Sequence, residues 1–194
     1  MAANLPLRDE ILEFWFGRPD TPGFGEAHAE WFRKDAAFDA ALHARFGSVV
    51  DAALVGGFAE WVDPRGTLAR VLLLDQFTRN NYRDTPRAFA GDALALSLAQ
   101  QAVARQDDAA LIPVERWFLY MPFEHAETMS AQEQSVNLFA RLEAESGMAD
   151  LVVWAERHAA VIRRFGRFPH RNAILGRAST PEEVEFLATP GSRF

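Results

Sequence analysis

Polar residues on an otherwise apolar helix are the first feature of this sequence that could do chemistry. The segment TLARVLLLDQFTRN at residues 67–80 is apolar nearly all round, which predicts a buried helix. Asp75 and Arg79 lie four residues apart on its core-facing stripe. Gln76 and Asn80 repeat that spacing one residue on. Because a buried charge must be compensated for its lost hydration, these residues predict either a structural network or a ligand-facing site.

A second cluster, RWFLYMPFEHAE at residues 116–127, mixes aromatic and charged side chains. Arg116 and Tyr120 are four residues apart and are expected to share one face of a helix. Pro122 is expected to end that helix, because proline lacks the N–H group that a helix interior uses. The residues after it are therefore predicted to form the first turn of a following helix.

The histidine of this second cluster lies between two carboxylates. His125 follows Glu124 and precedes Glu127 by two residues, and an imidazole with such neighbours can act as a general base or a metal ligand. The spacing is not the i,i+4 histidine pair of zinc proteases, so we predict no metal. The alternative is a histidine that only forms hydrogen bonds in a binding or structural network.

The third cluster is a run of arginines, RRFGRFPHRNAILGR at residues 163–177. It holds five arginines and no acid in a chain of net charge -7. Guanidinium groups and the N–H groups of a helix start both suit carboxylate or phosphate, so an anion site is predicted. The alternative is that these arginines pair with acids elsewhere, such as Asp75, Glu124 and Glu127. The candidate binding residues are Arg167, His170, Arg171 and Asn172.

The remaining histidines are expected to have no chemical role. His158 falls on the same helical stripe as Leu151 and Trp154, which predicts a buried core histidine. His28 and His43 lie in charged, alanine-rich surroundings and are predicted to be surface residues.

Composition and charge exclude several classes of protein. A net charge of -7 and a pI of about 5.2 argue against nucleic-acid binding, which usually needs a basic face. The chain has no cysteine, which excludes disulfides and thiolate metal sites. Unbroken apolar runs, such as residues 71–74, are far short of the roughly 20 residues that cross a membrane. The start, MAANLPLRDE, lacks a signal-peptide pattern, so a cytoplasmic location is expected.

Motifs for common cofactors and nucleophiles do not occur in the sequence. There is no dinucleotide-binding fingerprint, phosphate-binding loop, HExxH, GxSxG or calcium-binding loop. We therefore expect no cofactor.

Helix signals dominate the chain, and no alternating strand pattern persists. Short connections without a linker predict one all-α domain over residues 1–194, with about nine helices in antiparallel pairs. The predicted helices cover residues 7–16, 26–32, 36–46, 49–55, 67–80, 85–106, 114–120, 130–145, 149–165 and a short last helix from Thr180. Gly166 is expected to end the helix at 149–165, and Thr180 with Glu183 is expected to form a capping box that opens the last helix.

The three clusters together resemble the signatures of the bacterial family DUF924. They are LLLDQFTRN, RWFLYMPFEHAE and RFGRFPHRNAILGR, and the segments ILEFWFG, WFRKDAAFD and STPEEVEFL also fit. The resemblance spans almost the whole chain. It implies an all-α fold of the tetratricopeptide-repeat-like class, with degenerate repeats, and brings no known reaction.

Three functions follow from these residues. The first is a protein that binds a small anionic molecule or peptide in a polar pocket between helices. The second is a small hydrolase or lyase that uses His125 or His170 as base, Glu124 to orient it and Arg171 to hold an anionic substrate. The third is an interaction module whose polar clusters form a structural network. The oligomeric state is left open.

Overall fold

The computed structural model describes residues 6–28 and 31–192 and forms eight α-helices. No strand occurs in these two ranges, so the predicted all-α class is confirmed. Grouping of the helices into tetratricopeptide-like repeats stays a prediction. The helices are α1 (Leu7–Phe16), α2 (Ala36–Leu54), α3 (Pro64–Asn81), α4 (Asp92–Ala104), α5 (Pro113–His125), α6 (Met129–Ser146), α7 (Leu151–Phe165) and α8 (Pro181–Leu187).

Polar residues fix several helix starts in the way that their types predict. The side chain of Asp35 accepts hydrogen bonds from two N–H groups in the first turn of α2. Asp63 caps α3 in the same way, one residue before a proline at the first helical position. Thr180 and Glu183 form the predicted capping box of α8. Gly166 ends α7 as expected, with a left-handed φ of 69°.

The prediction that Pro122 ends a helix is wrong. The helix α5 continues through Pro122 to His125, so Glu124 and His125 lie in its last turn and not in the first turn of a following helix. Phe118 and Phe123, on either side of the proline, are both fully buried. Their packing holds the turn together, and since Pro122 lacks a single N–H group, it removes only one interior hydrogen bond as donor.

Other predicted boundaries also change. The helices predicted at 36–46 and 49–55 are one continuous helix, because Gly47 lies inside α2 rather than at its end. The helix predicted at 26–32 includes residues 29–30, which lie outside the described residues, and its described flanks are not α-helical. The helix α3 begins at Pro64, after its N-cap Asp63, which is three residues before the predicted start at residue 67.

The helix predicted over residues 85–106 is interrupted by a close backbone contact. A short 3₁₀ turn, Pro86–Phe89, precedes Gly91, and α4 begins at Asp92. A Cβ atom at Gly91 would lie 2.1 Å from the carbonyl oxygen of Leu74 on α3. Only glycine allows the chain to pass this close, and the contact fixes the first turn of α4 against α3.

The core surrounds α3, which packs against α1, α2, α4 and α5. Large aromatic side chains fill it, among them Trp15, Phe46, Phe77 and Phe118, each at most 2% exposed. The helices α5, α6 and α7 follow one another as packed neighbours. In the described ranges, no helix is long and apolar enough to span a membrane.

Candidate functional site

A cavity of about 770 Å³ opens between α3, α5, α7 and the segment that follows α7. Its volume is in the range of sites that hold small organic molecules. The wall combines aromatic side chains with polar ones from all three predicted clusters. The polar predicted residues that line it are Gln76, Arg79, Asn80, Glu124, His125, His170 and Arg171.

Asp75 lies beneath the cavity floor and organises several donors. Its carboxylate is fully buried and lies 2.7 Å from Nδ1 of His125 and 3.1 Å from Nη1 of Arg79. Gln76 Nε2 donates to its second oxygen at 2.6 Å. Burial alone would raise the pKa of Asp75, but the charge of Arg79 and the contact with His125 outweigh it and hold that pKa well below its ordinary value.

The ionised state of Asp75 fixes the tautomer of His125. A carboxylate can only accept hydrogen bonds, so Nδ1 of His125 carries the proton and donates it to Asp75. Burial lowers the pKa of His125, and the positive charge of Arg79 acts in the same direction against the pull of Asp75. A neutral ring protonated at Nδ1 leaves Nε2 as an unprotonated base.

Asp92, at the first turn of α4, joins two arginines. Both of its oxygens accept from Arg79, at 2.8 and 3.1 Å, and one also accepts from Arg171 Nη1 at 3.1 Å. We did not predict Asp92 from the sequence. Its only sequence signal is an acid at a helix start, which the helix dipole explains without any function. The close passage of Gly91 past α3 is what brings it here.

Arg171 is a buried cation with an unused donor. It is 6% exposed, and its Nε–H has no hydrogen-bond partner. Its guanidinium lies between the rings of Phe89 and Phe168, 4.7 and 4.6 Å from their centroids. Burial first, and then the nearby charge of Arg79, lower the pKa of Arg171 to about 10. An unsatisfied buried donor on a cavity wall is the feature that an anionic ligand would complete.

Two further histidines face the same cavity. Burial, followed by the charges of Arg171 and His158, lowers the pKa of His170 to about 3, so this ring is neutral at ordinary pH. His158 is buried as predicted, yet it also lines the cavity, which the sequence prediction missed. Its Nδ1 lies 2.9 Å from Oε1 of Glu124 and 2.9 Å from the carbonyl oxygen of Trp154.

A family model described as a bacterial protein of unknown function (DUF924) matches residues 11–191. The chain belongs to the DUF924 family. No functionally curated protein matches it significantly.

A solved structure supports the same assignment. It is titled as the protein of unknown function ATU0120 from Agrobacterium tumefaciens, and it is 40% identical to this DUF924 chain. The match has a TM-score of 0.82 and covers 94% of this chain and 97% of the other. The resemblance seen in the sequence motifs is thereby confirmed, and it extends to the fold.

Not every predicted site residue of this DUF924 protein reaches the cavity. Arg116 and Tyr120 do share a helix face, with Nε of the arginine 3.3 Å from the tyrosine hydroxyl. Tyr120 is fully buried and donates to Asp108 at 2.5 Å, while Arg116 pairs with Glu145 at 2.6 Å. This cluster joins α5 to α6 and lies outside the cavity lining.

Glu127, Arg167 and Asn172 form a separate network beneath α8. Arg167 makes two hydrogen bonds to Glu183, at 2.7 and 2.8 Å, and Arg177 makes two to Glu127, at 2.6 and 2.9 Å. Asn172 donates to Glu183 at 3.1 Å. The alternative that the arginines pair with acids therefore describes Arg167 and Arg177, whereas Arg171 both pairs with Asp92 and faces the cavity.

Gln76 and Asn80 both reach the cavity, but they have different partners. Gln76 contacts Asp75, whereas Asn80 donates to Asp39 on α2 at 2.7 Å. The two amides, four residues apart on α3, therefore bond to different carboxylates. Within the described ranges, no group of three or more histidine, aspartate or glutamate residues is arranged to hold a metal ion.

Proposed function

We propose that the cavity binds a small anionic molecule, a carboxylate or a phosphate, through Arg171 and Arg79. The observation that carries the proposal is Arg171, a cavity-lining guanidinium that is 6% exposed and whose Nε–H has no hydrogen-bond partner. An anion bound to this guanidinium would gain a charge-assisted hydrogen bond, and contact with Nε would satisfy the free donor.

The placement of two arginines of the cavity supports an anion as well. Asp92 holds Arg79 and Arg171 side by side, so both guanidinium groups are in position before a ligand arrives.

A purely structural network fits these residues less well. A network whose only role is to join helices would satisfy its own donors and would leave no cavity beside them. The Arg167 and Arg177 pairs each make two hydrogen bonds to one carboxylate, whereas Arg171 in the cavity cluster keeps a donor without a partner.

The test is binding of acetate and inorganic phosphate to three proteins: the wild type, Arg171→Lys and Arg167→Lys. Lysine keeps the positive charge but removes the Nε–H and the planar fork. We expect wild type and Arg167→Lys to bind at least one anion with similar affinity, and Arg171→Lys to lose about tenfold or more, as for a charged hydrogen bond of about 1.5–3 kcal/mol. Equal binding by the two variants would rule out the proposal.

A second candidate function, an acid–base hydrolase or lyase, is favoured by one observation. Asp75 and His125 form a buried pair at 2.7 Å, in which Nε2 of the histidine is left as the base. In this candidate, Asp75 orients the ring, not Glu124 as the sequence suggested, since Glu124 lies against His158. In a hydrolysis, Nε2 would take a proton from water as the oxygen attacks, and the leaving group would receive that proton.

Turnover of two chromogenic anions, 4-nitrophenyl hemisuccinate and 4-nitrophenyl phosphate, tests the hydrolase form of this candidate. We expect His125→Gln to keep anion binding and to lower kcat/KM by about 10²–10⁴-fold. The wild-type rate should rise with pH and level off below pH 6.5, because burial lowers the pKa of His125. A rate unchanged in His125→Gln would remove the histidine from the mechanism.

A further inference from the structure

One face of α5 changes from apolar to polar along the cavity. Trp117, Met121 and His125 follow at four-residue spacing, and all three line the cavity. A helix rises 1.5 Å per residue, so the tryptophan and the histidine are about 12 Å apart along the helix axis. The cavity is therefore apolar at one level and basic or polar about two turns further on.

The helix α7 shows the same change in the same direction. Leu151, Trp154 and His158 line the cavity from α7, over about 10 Å of helix. The rings of His125 and His158 lie 6.4 Å apart, so the polar ends of the two faces meet. Both helices thus contribute an apolar level and a polar level to one elongated cavity.

The apolar level exposes aromatic rings to solvent. Phe32 is 56% exposed and stacks on Trp117 with ring centroids 5.1 Å apart, and Trp154 is 48% exposed. Large exposed aromatic side chains grouped at the mouth of a cavity are typical of a surface that is covered by a ligand.

The cations at this mouth already have partners. Lys34 pairs with Asp84 at 3.1 Å, and Arg83 pairs with Asp39 at 2.8 Å. The unpartnered donor is at the polar level, on Arg171. Phe168 connects it to the histidines, since its ring lies 4.6 Å from that guanidinium and 5.6 Å from the ring of His158.

We propose that the ligand is an amphiphilic anion. Its carboxylate or phosphate lies at Arg171, and an aromatic or hydrocarbon body roughly 10 Å long extends between Trp117 and Trp154. This inference rests on the proposed anion site and adds the class of molecule that it takes. A cavity of about 770 Å³ holds such a molecule, whereas a bare phosphate or acetate would leave the aromatic level uncovered.

The experiment compares the affinities of the wild-type chain for acetate, 3-phenylpropionate and octanoate. Binding is monitored through the NMR signal of the Arg171 Nε–H. All three carry the same carboxylate, so only the apolar body differs. We expect both longer acids to bind at least about tenfold more tightly than acetate, because their bodies leave water. All three should shift the Nε–H signal, which places the anion at Arg171.

Two variants of α7 locate the apolar body. Trp154→Ala removes a ring that lines the cavity, and Val153→Ala removes a side chain of similar exposure outside the lining. We expect the preference for phenylpropionate over acetate to fall severalfold in Trp154→Ala and to stay unchanged in Val153→Ala. An equal effect of both variants would overturn the placement of the body.

The outcomes separate this inference from the anion site itself. Equal affinity for all three acids, with the Arg171 signal shifting each time, would overturn the amphiphilic ligand and leave the anion site standing. Absence of binding by every acid and by phosphate would overturn both. A phenylalanine-terminated peptide that binds far more tightly than phenylpropionate would replace the small molecule with a peptide and would also overturn the inference.

Discussion

Arg167 and Arg171 are four residues apart in the same arginine-rich segment, but their surroundings differ. Arg167 lies beside α8, where its Nε–H and one Nη–H group donate to Glu183 at 2.7 and 2.8 Å. Arg171 lies on the cavity wall, where it shares Asp92 with Arg79 and keeps its Nε–H without a partner. One arginine is satisfied inside the protein, and the other is not.

The contrast shows what separates a structural arginine from a candidate ligand-binding one. The difference is whether the N–H groups of the guanidinium find hydrogen-bond acceptors inside the protein, and residue type and local charge do not reveal it. An unsatisfied buried donor lowers the free energy of unfolding, so a site of this kind is retained at a cost in stability. Loss of Arg171 should therefore affect stability less than loss of an arginine of the α8 region.

The largest expected effect concerns Arg79, the counter-charge of Asp75. Arg79→Ala leaves a fully buried carboxylate without its main cationic partner and should lower the free energy of unfolding by about 3–5 kcal/mol. Urea denaturation measures this loss. The control is Arg83→Ala, four residues further along the chain and just past the end of α3, whose more exposed pair with Asp39 should contribute about 1 kcal/mol or less. Similar losses in both variants would mean that Asp75 is not desolvated.

The second prediction compares the two regions directly. Arg177→Met removes a two-point pair with Glu127 and should cost about 1.5–3 kcal/mol. Arg171→Met replaces a poorly satisfied buried cation with an apolar side chain, while Arg79 still pairs with Asp92, so stability should change by less than about 1 kcal/mol or rise. Thermal and urea unfolding of both variants decide the point. A larger loss for Arg171→Met would place it among the structural arginines.

The third prediction is a pH dependence that His170 contributes. Its folded-state pKa of about 3 is lower than its ordinary value of 6.5, so between these values the unfolded chain binds a proton that the folded chain does not. Stability should therefore fall as the pH drops below about 6.5, by up to about 1.4 kcal/mol per pH unit. In urea denaturation at pH 4.5–6.5, His170→Gln should flatten this slope.

His43→Gln is the matched control, since His43 is exposed on α2. Its pH profile should follow the wild type. If the pH dependence of stability persists in His170→Gln, other groups cause it. One such group is His125, because burial lowers its pKa as well.

The smallest expected effect on stability concerns the N-terminal cap of α8. Thr180→Ala removes the side-chain cap of α8 and should lower stability by about 1 kcal/mol. Thr180→Ser keeps the capping oxygen and should behave like the wild type. Anion binding in the cavity should be unchanged in both variants, because Thr180 does not line that cavity.

The sequence predicts most of the fold because helix starts depend on local chemistry. The capping box at Thr180 and the glycine end of α7 are confirmed where they were predicted. Pro122 was misread because burial of its aromatic neighbours, a tertiary effect, outweighs the local preference of proline. The helix break at Gly91 was missed because it depends on contact with the backbone of Leu74, which lies on another helix.

The candidate site was predictable only in outline. Three clusters of residues pointed to it, and the structure brings Arg79, His125 and Arg171 to one cavity from α3, α5 and the segment after α7. Asp92 and His158 were missed, because an acid at a helix start and a histidine on an apolar stripe both have ordinary structural explanations. Arg116 and Tyr120 showed the right spacing but face α6.

The sequence by itself determined the helical class, most helix ends and the types of charged group available, because these depend on contacts within a few residues. Only the tertiary structure decided which of those groups share a cavity and which satisfy one another. Hydrogen bonding and desolvation depend on distances between residues far apart in the chain. Arg171 and Asp92, separated by 79 positions, are the clearest case.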